Sequence, residues 1–162
     1  NGQYETDGTA VHKAGAFDVK GEAPVIDQLH QLIDLGGRSS PITNVVFHKG
    51  WFDSTVPDFF DQHVHPVAFI HADADLYSST KTFLEEICRR KLLKAGSVIL
   101  FDEFWNFEDW QEGEYKAWME VVEEYDLQFC YLGIHAPTTS AKDFHTDYGY
   151  QSVCVLIQRD MR

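Results

Sequence analysis

Two pairs of acidic residues each follow an apolar run of the chain, and their side chains are the ones best suited to chemistry. Asp73 and Asp75 come just after one run, and Asp102 and Glu103 come directly after another. Apolar runs of this kind predict buried strands. In a parallel sheet, the residues that follow the strands share the rim at their carboxyl ends, where open α/β sheets bind ligands. We therefore expect the four carboxylates to lie near one another.

Carboxylates gathered on one rim repel one another, so a proton or a cation must neutralise part of their charge. Oxygen-only ligands suit a hard ion, which predicts Mg²⁺ or Mn²⁺. The competing explanation is that these acids only cap the helices that follow them, because Asp is a favoured N-cap residue. Capping explains one pair well, whereas two pairs after successive strands favour a cation site.

Composition restricts the class of protein. The chain has 162 residues, enough for one domain with a core. Its formal net charge of −13 argues against nucleic acid or an anionic membrane as a partner. No apolar run approaches the length of a membrane span. The three cysteines lack metal-site spacing and are interpreted as small buried residues, which predicts a reduced, cytoplasmic setting. The chain begins with Asn1, so we expect a processed product or a fragment.

Hydrophobic periodicity predicts helices that alternate with strands after an irregular segment over 1–23. The predicted helices are 23–35 (ended by Gly36 and Gly37), 54–62, 79–92 and 115–125, and the predicted strands are 44–48, 66–72, 97–101, 127–134 and 152–157. Alternation of this kind predicts an α/β fold, with a mostly parallel sheet and helices on both faces. Only a polar loop, 136–150, separates the last two strands, so the last strand is predicted to be antiparallel.

Other residues near the acid pairs have two interpretations each. His71 lies at the end of a predicted strand, where it could line the site or form a hydrogen bond in the core. Trp105, Phe107 and Trp110 follow the second acid pair and could pack in the core or form the wall of a substrate pocket.

At these residues the sequence resembles the macrocin O-methyltransferase-like class I methyltransferases. The similar segments run from about residue 15 to 125. They are Gly15-Ala-Phe-Asp, Gly50-Trp-Phe-Asp-Ser-Thr-Val-Pro, Phe69-Ile-His-Ala-Asp-Ala-Asp-Leu-Tyr-Ser-Ser-Thr-Lys-Thr, Gly96-Ser-Val-Ile-Leu-Phe-Asp-Glu-Phe-Trp-Asn and Glu114-Tyr-Lys-Ala-Trp. The resemblance implies a Rossmann-like, seven-stranded sheet and Mg²⁺-dependent methyl transfer from S-adenosylmethionine to a hydroxyl of a small molecule, often a sugar of a natural product. In that strand order, 152–157 is inserted between 97–101 and 127–134.

The resemblance also implies roles for particular residues. It assigns Asp73, Asp102 and Glu103 to the metal, although the family commonly has Asp at the last position. Asp75 matches the position proposed as general base. The cofactor-binding residues that it implies are Gly50, Trp51, Phe52, His71 and Asp73, and the first three form the turn that usually holds adenine.

The family's first strand, its glycine-rich turn and its second strand have no counterpart in the chain. Residues 1–162 are therefore expected to be one N-terminally incomplete domain that lacks the first strand–helix–strand unit and binds S-adenosylmethionine barely. The edges of 44–48 and 66–72 would then be open to pairing with another chain, which allows a homo-oligomer. Two other functions stay open: a metal-dependent glycosyltransferase that uses Asp73 and Asp75, and an inactive fragment or binding module.

Overall fold

Four strands and three α-helices make up the part of the chain that the computed structural model describes, residues 45–135 and 150–161. In chain order they are α1 (Phe52–Gln62), β1 (Phe69–Ala72), α2 (Tyr77–Arg89), β2 (Val98–Phe101), a 3-10 turn (Trp110–Glu112), α3 (Glu114–Glu124), β3 (Phe129–Ile134) and β4 (Val153–Ile157). The segments predicted over 1–23 and 23–35, the Gly36–Gly37 stop and residues 136–149 of the predicted loop lie outside the described residues.

The four strands form one mixed sheet in the order β1-β2-β4-β3. β1 and β2 are parallel, and β4 is antiparallel to both β2 and β3. The prediction that the last strand is antiparallel and inserted between the two strands before it in the chain is therefore confirmed. Three of the four strands point the same way, but only one of the three described pairings is parallel, so the described sheet is mixed where a mostly parallel one was predicted.

One predicted strand is absent. Residues 45–48, the described part of the predicted strand 44–48, have no regular secondary structure. Their burial still alternates, with Val45 and Phe47 half-buried and Val46 and His48 exposed, although no strand forms. A strand also needs a hydrogen-bonded neighbour, and no strand of the described ranges pairs with this segment.

The described helices cover one face of the sheet. α2 packs against both α1 and α3, so the three helices form a single row. The covered face carries Ile99, Phe101, Val153 and Val155, all of which are buried, and the Phe101 ring lies 5.5 Å from Trp118 of α3. Residues on the other face, such as Leu100, are only half-buried. The predicted second layer of helices is not among the described residues.

None of the described helices is long and apolar enough to cross a membrane. All three cysteines are free thiols. Cys88 is buried on the apolar side of α2, as predicted, while Cys130 and Cys154 are only half-buried.

Ser97 joins the beginnings of the two strands that lead to the acid pairs. Its hydroxyl donates a hydrogen bond to the Val67 carbonyl over 2.5 Å and accepts one from the Lys94 backbone N–H over 3.0 Å. The serine is buried, so water cannot replace either bond. The side chain therefore helps to hold β1 beside β2.

We expect Ser97→Ala to lower the free energy of unfolding by about 1–3 kcal/mol, because the Val67 carbonyl and the Lys94 N–H each lose a partner. Urea unfolding followed by circular dichroism measures this change. Ser78→Ala, at an exposed position in α2, is the matched control, and its effect should stay within about 0.5 kcal/mol. Equal midpoints for the two variants would contradict the role of Ser97.

Candidate metal and active site

The register between β1 and β2 brings the two acid pairs together. The last matched residues are Ala72 and Phe101, and the Asp102 N–H continues the ladder by donating to the Ala72 carbonyl over 2.9 Å. Asp73 and Asp102 therefore leave the sheet side by side. One ligand oxygen from each of Asp73, Asp102 and Glu103 lies within 4.8 Å of the others. This is the single such group of His, Cys, Asp or Glu side chains in residues 45–135 and 150–161.

The chemistry of this group fits a hard divalent cation. All three donors are carboxylate oxygens, which Mg²⁺ and Mn²⁺ prefer. Oε2 of Glu103 is buried and has no hydrogen-bond partner among the described residues. A buried carboxylate oxygen without a partner is costly unless a proton or an ion compensates it. The group therefore has both the donors and the unmet charge that a cation would satisfy.

Burial and repulsion by neighbouring carboxylates raise the pKa of Glu103. Burial and the negative charges of Asp75, Glu114, Asp102 and Asp73, in that order, raise the pKa of the Glu103 carboxyl to about 8 from an ordinary 4.5. Near neutral pH this side chain keeps its proton in the absence of a cation. Ion binding and proton release are therefore coupled at this residue.

Asp75 lies beside the group but outside it. Its backbone has a left-handed φ of 55°, and the Leu76 N–H donates to the Ala74 carbonyl over 2.5 Å across it. In an extended strand, Asp73 and Asp75 would point to the same face. The tight turn at Asp75 breaks this pattern, so the two side chains have different positions relative to the ligand group. Asp75 is close enough to Glu103 to be the main charged neighbour that raises its pKa.

Glu114, the first residue of α3, is a site residue that the sequence analysis did not assign. Its side chain is fully buried. One oxygen accepts hydrogen bonds from the Ala74 N–H (3.3 Å) and the Thr80 hydroxyl (3.4 Å), and the other accepts from the Glu103 N–H (3.2 Å). Burial raises its pKa to about 7, although the two backbone N–H bonds oppose the increase. The sequence feature that could have identified Glu114 is its position as the first residue of the segment Glu114-Tyr-Lys-Ala-Trp, one of the segments that resemble the methyltransferase family.

Asp102 has two further neighbours. Its Oδ1 accepts a hydrogen bond from the Ser152 hydroxyl over 3.1 Å and lies 3.7 Å from Nε2 of His71. His71 is half-exposed at the rim, so it lines the site and is not packed in the core. Ser152 precedes β4, and the residue before it, Gln151, accepts hydrogen bonds from the Phe104 and Trp105 N–H groups. No local pattern could have identified Ser152, because β4 reaches the site only through sheet pairing.

An apolar cavity of about 660 Å³ lies along β1 and ends at the acid rim. Its lining includes three of the predicted cofactor-binding residues, Phe52, His71 and Asp73. Aromatic rings of α1 and α2, among them Phe59 and Phe83, form much of its wall. Gly50 and Trp51 are not among its described lining residues, so the structure brings only part of the predicted set together.

The Gly50–Trp51 turn begins α1. Gly50 has a φ of 155°, and a Cβ there would lie 2.6 Å from Cγ2 of Thr55, so glycine is required. The Trp51 carbonyl accepts hydrogen bonds from both the backbone N–H and the hydroxyl of Thr55. The helix therefore begins at Phe52, and the predicted start near Ser54 was two residues late. The Trp51 ring is 69% exposed.

The aromatic loop after β2 is half-buried at each residue predicted to form a substrate wall: Trp105, Phe107 and Trp110. Trp110 packs edge-on against Tyr115, with ring centroids 4.8 Å apart. A Cβ on Gly113 would lie 3.8 Å from the Asp75 carbonyl and 4.0 Å from the Phe107 ring. The loop is therefore adjacent to the Asp75 turn, and both interpretations of its aromatic residues stay compatible with its partial burial.

Comparisons with known proteins find a likeness among solved structures. No protein-family model matches the chain, and no curated protein matches it. Among solved structures, the chain is similar to the apo structure of CalS11, a TDP-rhamnose 3'-O-methyltransferase of calicheamicin biosynthesis, with 28% sequence identity and a TM-score of 0.46. The match covers 67% of this chain and 39% of that one. This chain therefore spans less than half the length of that protein.

The raised pKa of Glu103 predicts how stability depends on pH without a cation. Between 4.5 and about 8 the folded chain holds a proton that the unfolded chain has released, so this residue makes folding less favourable as pH rises through that interval. We expect the free energy of unfolding in urea to fall less from pH 5 to pH 8 in Glu103→Gln than in the unchanged chain. The exposed Glu108 of the same loop supplies the control, Glu108→Gln. Parallel pH profiles for all three proteins would contradict the assignment.

Proposed function

We propose that this chain carries the cation-binding and base-bearing region of an S-adenosylmethionine-dependent, Mg²⁺-assisted O-methyltransferase that acts on a hydroxyl of a small molecule, such as a sugar of a natural product. The observation that carries the proposal is the convergence of Asp73, Asp102 and Glu103 within 4.8 Å. It lies at the shared rim of two parallel strands, and the residues that form it belong to the segments that resemble the methyltransferase family. The Mn²⁺ ion is an alternative occupant of the same oxygen donors.

Each side chain at the rim has a distinct part in this proposal. Asp73, Asp102 and Glu103 hold the cation, which would supply Lewis acidity to the acceptor hydroxyl. Asp75 accepts the hydroxyl proton from a position outside the ligand group. The Ser152 hydroxyl, 3.1 Å from Oδ1 of Asp102, occupies one acceptor site of that carboxylate and so orients it.

The cavity along β1 is the proposed seat of the methyl donor. Its apolar and aromatic walls, with Phe52 and Phe83 among them, suit a flat base, and its rim includes His71 and Asp73. S-adenosylmethionine would supply the methyl group from there. The chain's own contribution is to place donor and acceptor beside the same carboxylates, since alignment of two reactants can account for a large part of the rate.

The glycosyltransferase alternative is less well supported. An Asp-x-Asp metal site would use both Asp73 and Asp75, whereas the convergent group contains Asp73 with the two acids of the other strand and leaves Asp75 out. The alternative of a binding module makes no use of the acid rim. Titration of the cation and binding of the two donor molecules can distinguish both alternatives from the methyltransferase.

Isothermal titration of Mn²⁺ tests the division of roles between the first two aspartates. We expect Asp73→Asn to lose affinity by about tenfold or more, because it removes a charged ligand. Asp75→Asn should stay within about twofold of the unchanged chain while slowing methyl transfer in the active enzyme. Asp109→Asn, at an exposed position of the neighbouring loop, is the control. Equal losses for Asp73→Asn and Asp75→Asn would show that the roles are not divided.

Competition between donor molecules separates the two enzyme classes. We expect quenching of tryptophan fluorescence, or protection against thermal unfolding, only at high concentrations of S-adenosylmethionine with Mg²⁺, because the chain is expected to bind this donor barely, and no response to a UDP-sugar with Mn²⁺. Binding of the first should weaken in Phe52→Ala, because that ring lines the cavity, and should be unchanged in Met119→Ala, an exposed position on α3. A response to the UDP-sugar alone would favour the glycosyltransferase, and a response to neither would favour a module without this chemistry.

A further inference from the structure

Burial of the Glu114 carboxyl in the core of this region costs folding free energy. Its side chain is fully buried, and no Lys, Arg or His of the described ranges forms an ion pair with it. A buried charge without a cationic partner costs folding free energy unless hydrogen bonds replace its lost hydration. Three donors do so here: the N–H of Ala74, the hydroxyl of Thr80 and the N–H of Glu103.

Two of these donors belong to the peptides that follow proposed metal ligands. The Ala74 N–H is part of the peptide that follows Asp73, and the Glu103 N–H is part of the peptide that follows Asp102. One carboxylate oxygen of Glu114 accepts from the first peptide, and the other oxygen accepts from the second. The two loops that carry the acids are therefore tied to each other through a single rigid group. The hydrogen bonds between β1 and β2 determine where each loop leaves the sheet. Glu114 then determines the orientation of the first peptide group of each loop.

We propose that Glu114 is a positioning residue, which holds the Asp73–Ala74 and Asp102–Glu103 peptides in the orientation that lets the three ligand side chains converge. The proposal rests on the proposed cation site. Glu114 touches neither the ligand oxygens nor a substrate, and acts through the backbone of the residues that do. Its effect is to assemble the ligand group before the ion arrives, so that ion binding need not order two mobile loops.

The requirement for a carboxylate follows from the partners. All three are donors, so the side chain must be an acceptor at both ends, and only an ionised carboxylate is. Glutamine has the same size but presents an acceptor at one end and an NH₂ donor at the other. In either orientation of its amide, Glu114→Gln leaves the N–H of Ala74 or of Glu103 facing another donor. One of the two loops is then released while the core volume is kept.

The test compares Glu114→Gln with two variants of the full chain. Thr80→Val removes the third hydrogen bond of Glu114 but leaves both loops tied. Glu112→Gln changes an exposed acid at the preceding turn, which pairs with Lys116. Urea unfolding identifies the conditions in which every variant is folded. Isothermal titration with Mn²⁺ alone and amide hydrogen exchange by NMR are then measured in those conditions, at a pH above the pKa of about 7 of the Glu114 carboxyl, where it is ionised.

We expect Glu114→Gln to weaken Mn²⁺ binding by about tenfold or more and to speed exchange at the Glu103 or Ala74 amide by a similar factor. Thr80→Val and Glu112→Gln should keep the Mn²⁺ affinity of the unchanged chain, even where Thr80→Val lowers stability. If Glu114→Gln binds Mn²⁺ as tightly as the unchanged chain, the positioning role is overturned and the proposed function stands. If Thr80→Val loses the same affinity, the effect is general loosening and the positioning role is again overturned. If the unchanged chain does not bind Mn²⁺, the cation site falls, and this proposal falls with it.

Discussion

Parallel pairing between β1 and β2 is the interaction on which the candidate site depends. Because Ala72 and Phe101 are the last matched pair, Asp73 and Asp102 leave the sheet at the same height. Phe101 points into the core, so a slip of one residue in β2 would expose it. Apolar burial therefore determines the register, and the register brings the carboxylates together. Burial of these apolar side chains stabilises the sheet, and the register that it determines also places like charges next to one another at the rim.

The charge at that rim contrasts with the charge on the helices. Several acids on α2 and α3 have basic partners: Lys81 lies 3.4 Å from Glu85 and 3.2 Å from Glu120. The three acids of the convergent group, Asp73, Asp102 and Glu103, have one basic neighbour among the described ion pairs, which is His71, 3.7 Å from Asp102. Repulsion that is left unbalanced lowers stability, and proteins tolerate such a cost mainly where charge is needed for binding or catalysis. The uneven placement of basic residues is thus an independent reason to regard the rim as functional.

Sequence periodicity predicted most of the described helices and strands correctly, but it predicted their first and last residues less accurately. The helix predicted from Ser79 begins at Tyr77, and the strand predicted over 66–72 begins at Phe69. Helix ends depend on backbone hydrogen bonds that single residues do not determine. The same limit explains residues 45–48, which alternate in burial as a strand does but have no neighbouring strand of the described residues to complete one.

The amino-acid sequence alone determined which segments are apolar enough to form strands, that two of them end in acids, and, from the missing helix, that the last strand runs antiparallel. The family resemblance implies Asp73, Asp102 and Glu103 as metal ligands, and the tertiary structure shows that their oxygens converge. The left-handed turn at Asp75 separates it from Asp73, and Glu114 and Ser152 join the site from 40 and 50 residues away from Ala74 and Asp102. Periodicity records which face of an element is buried, whereas a site is made of contacts between elements, which depend on register and backbone turns.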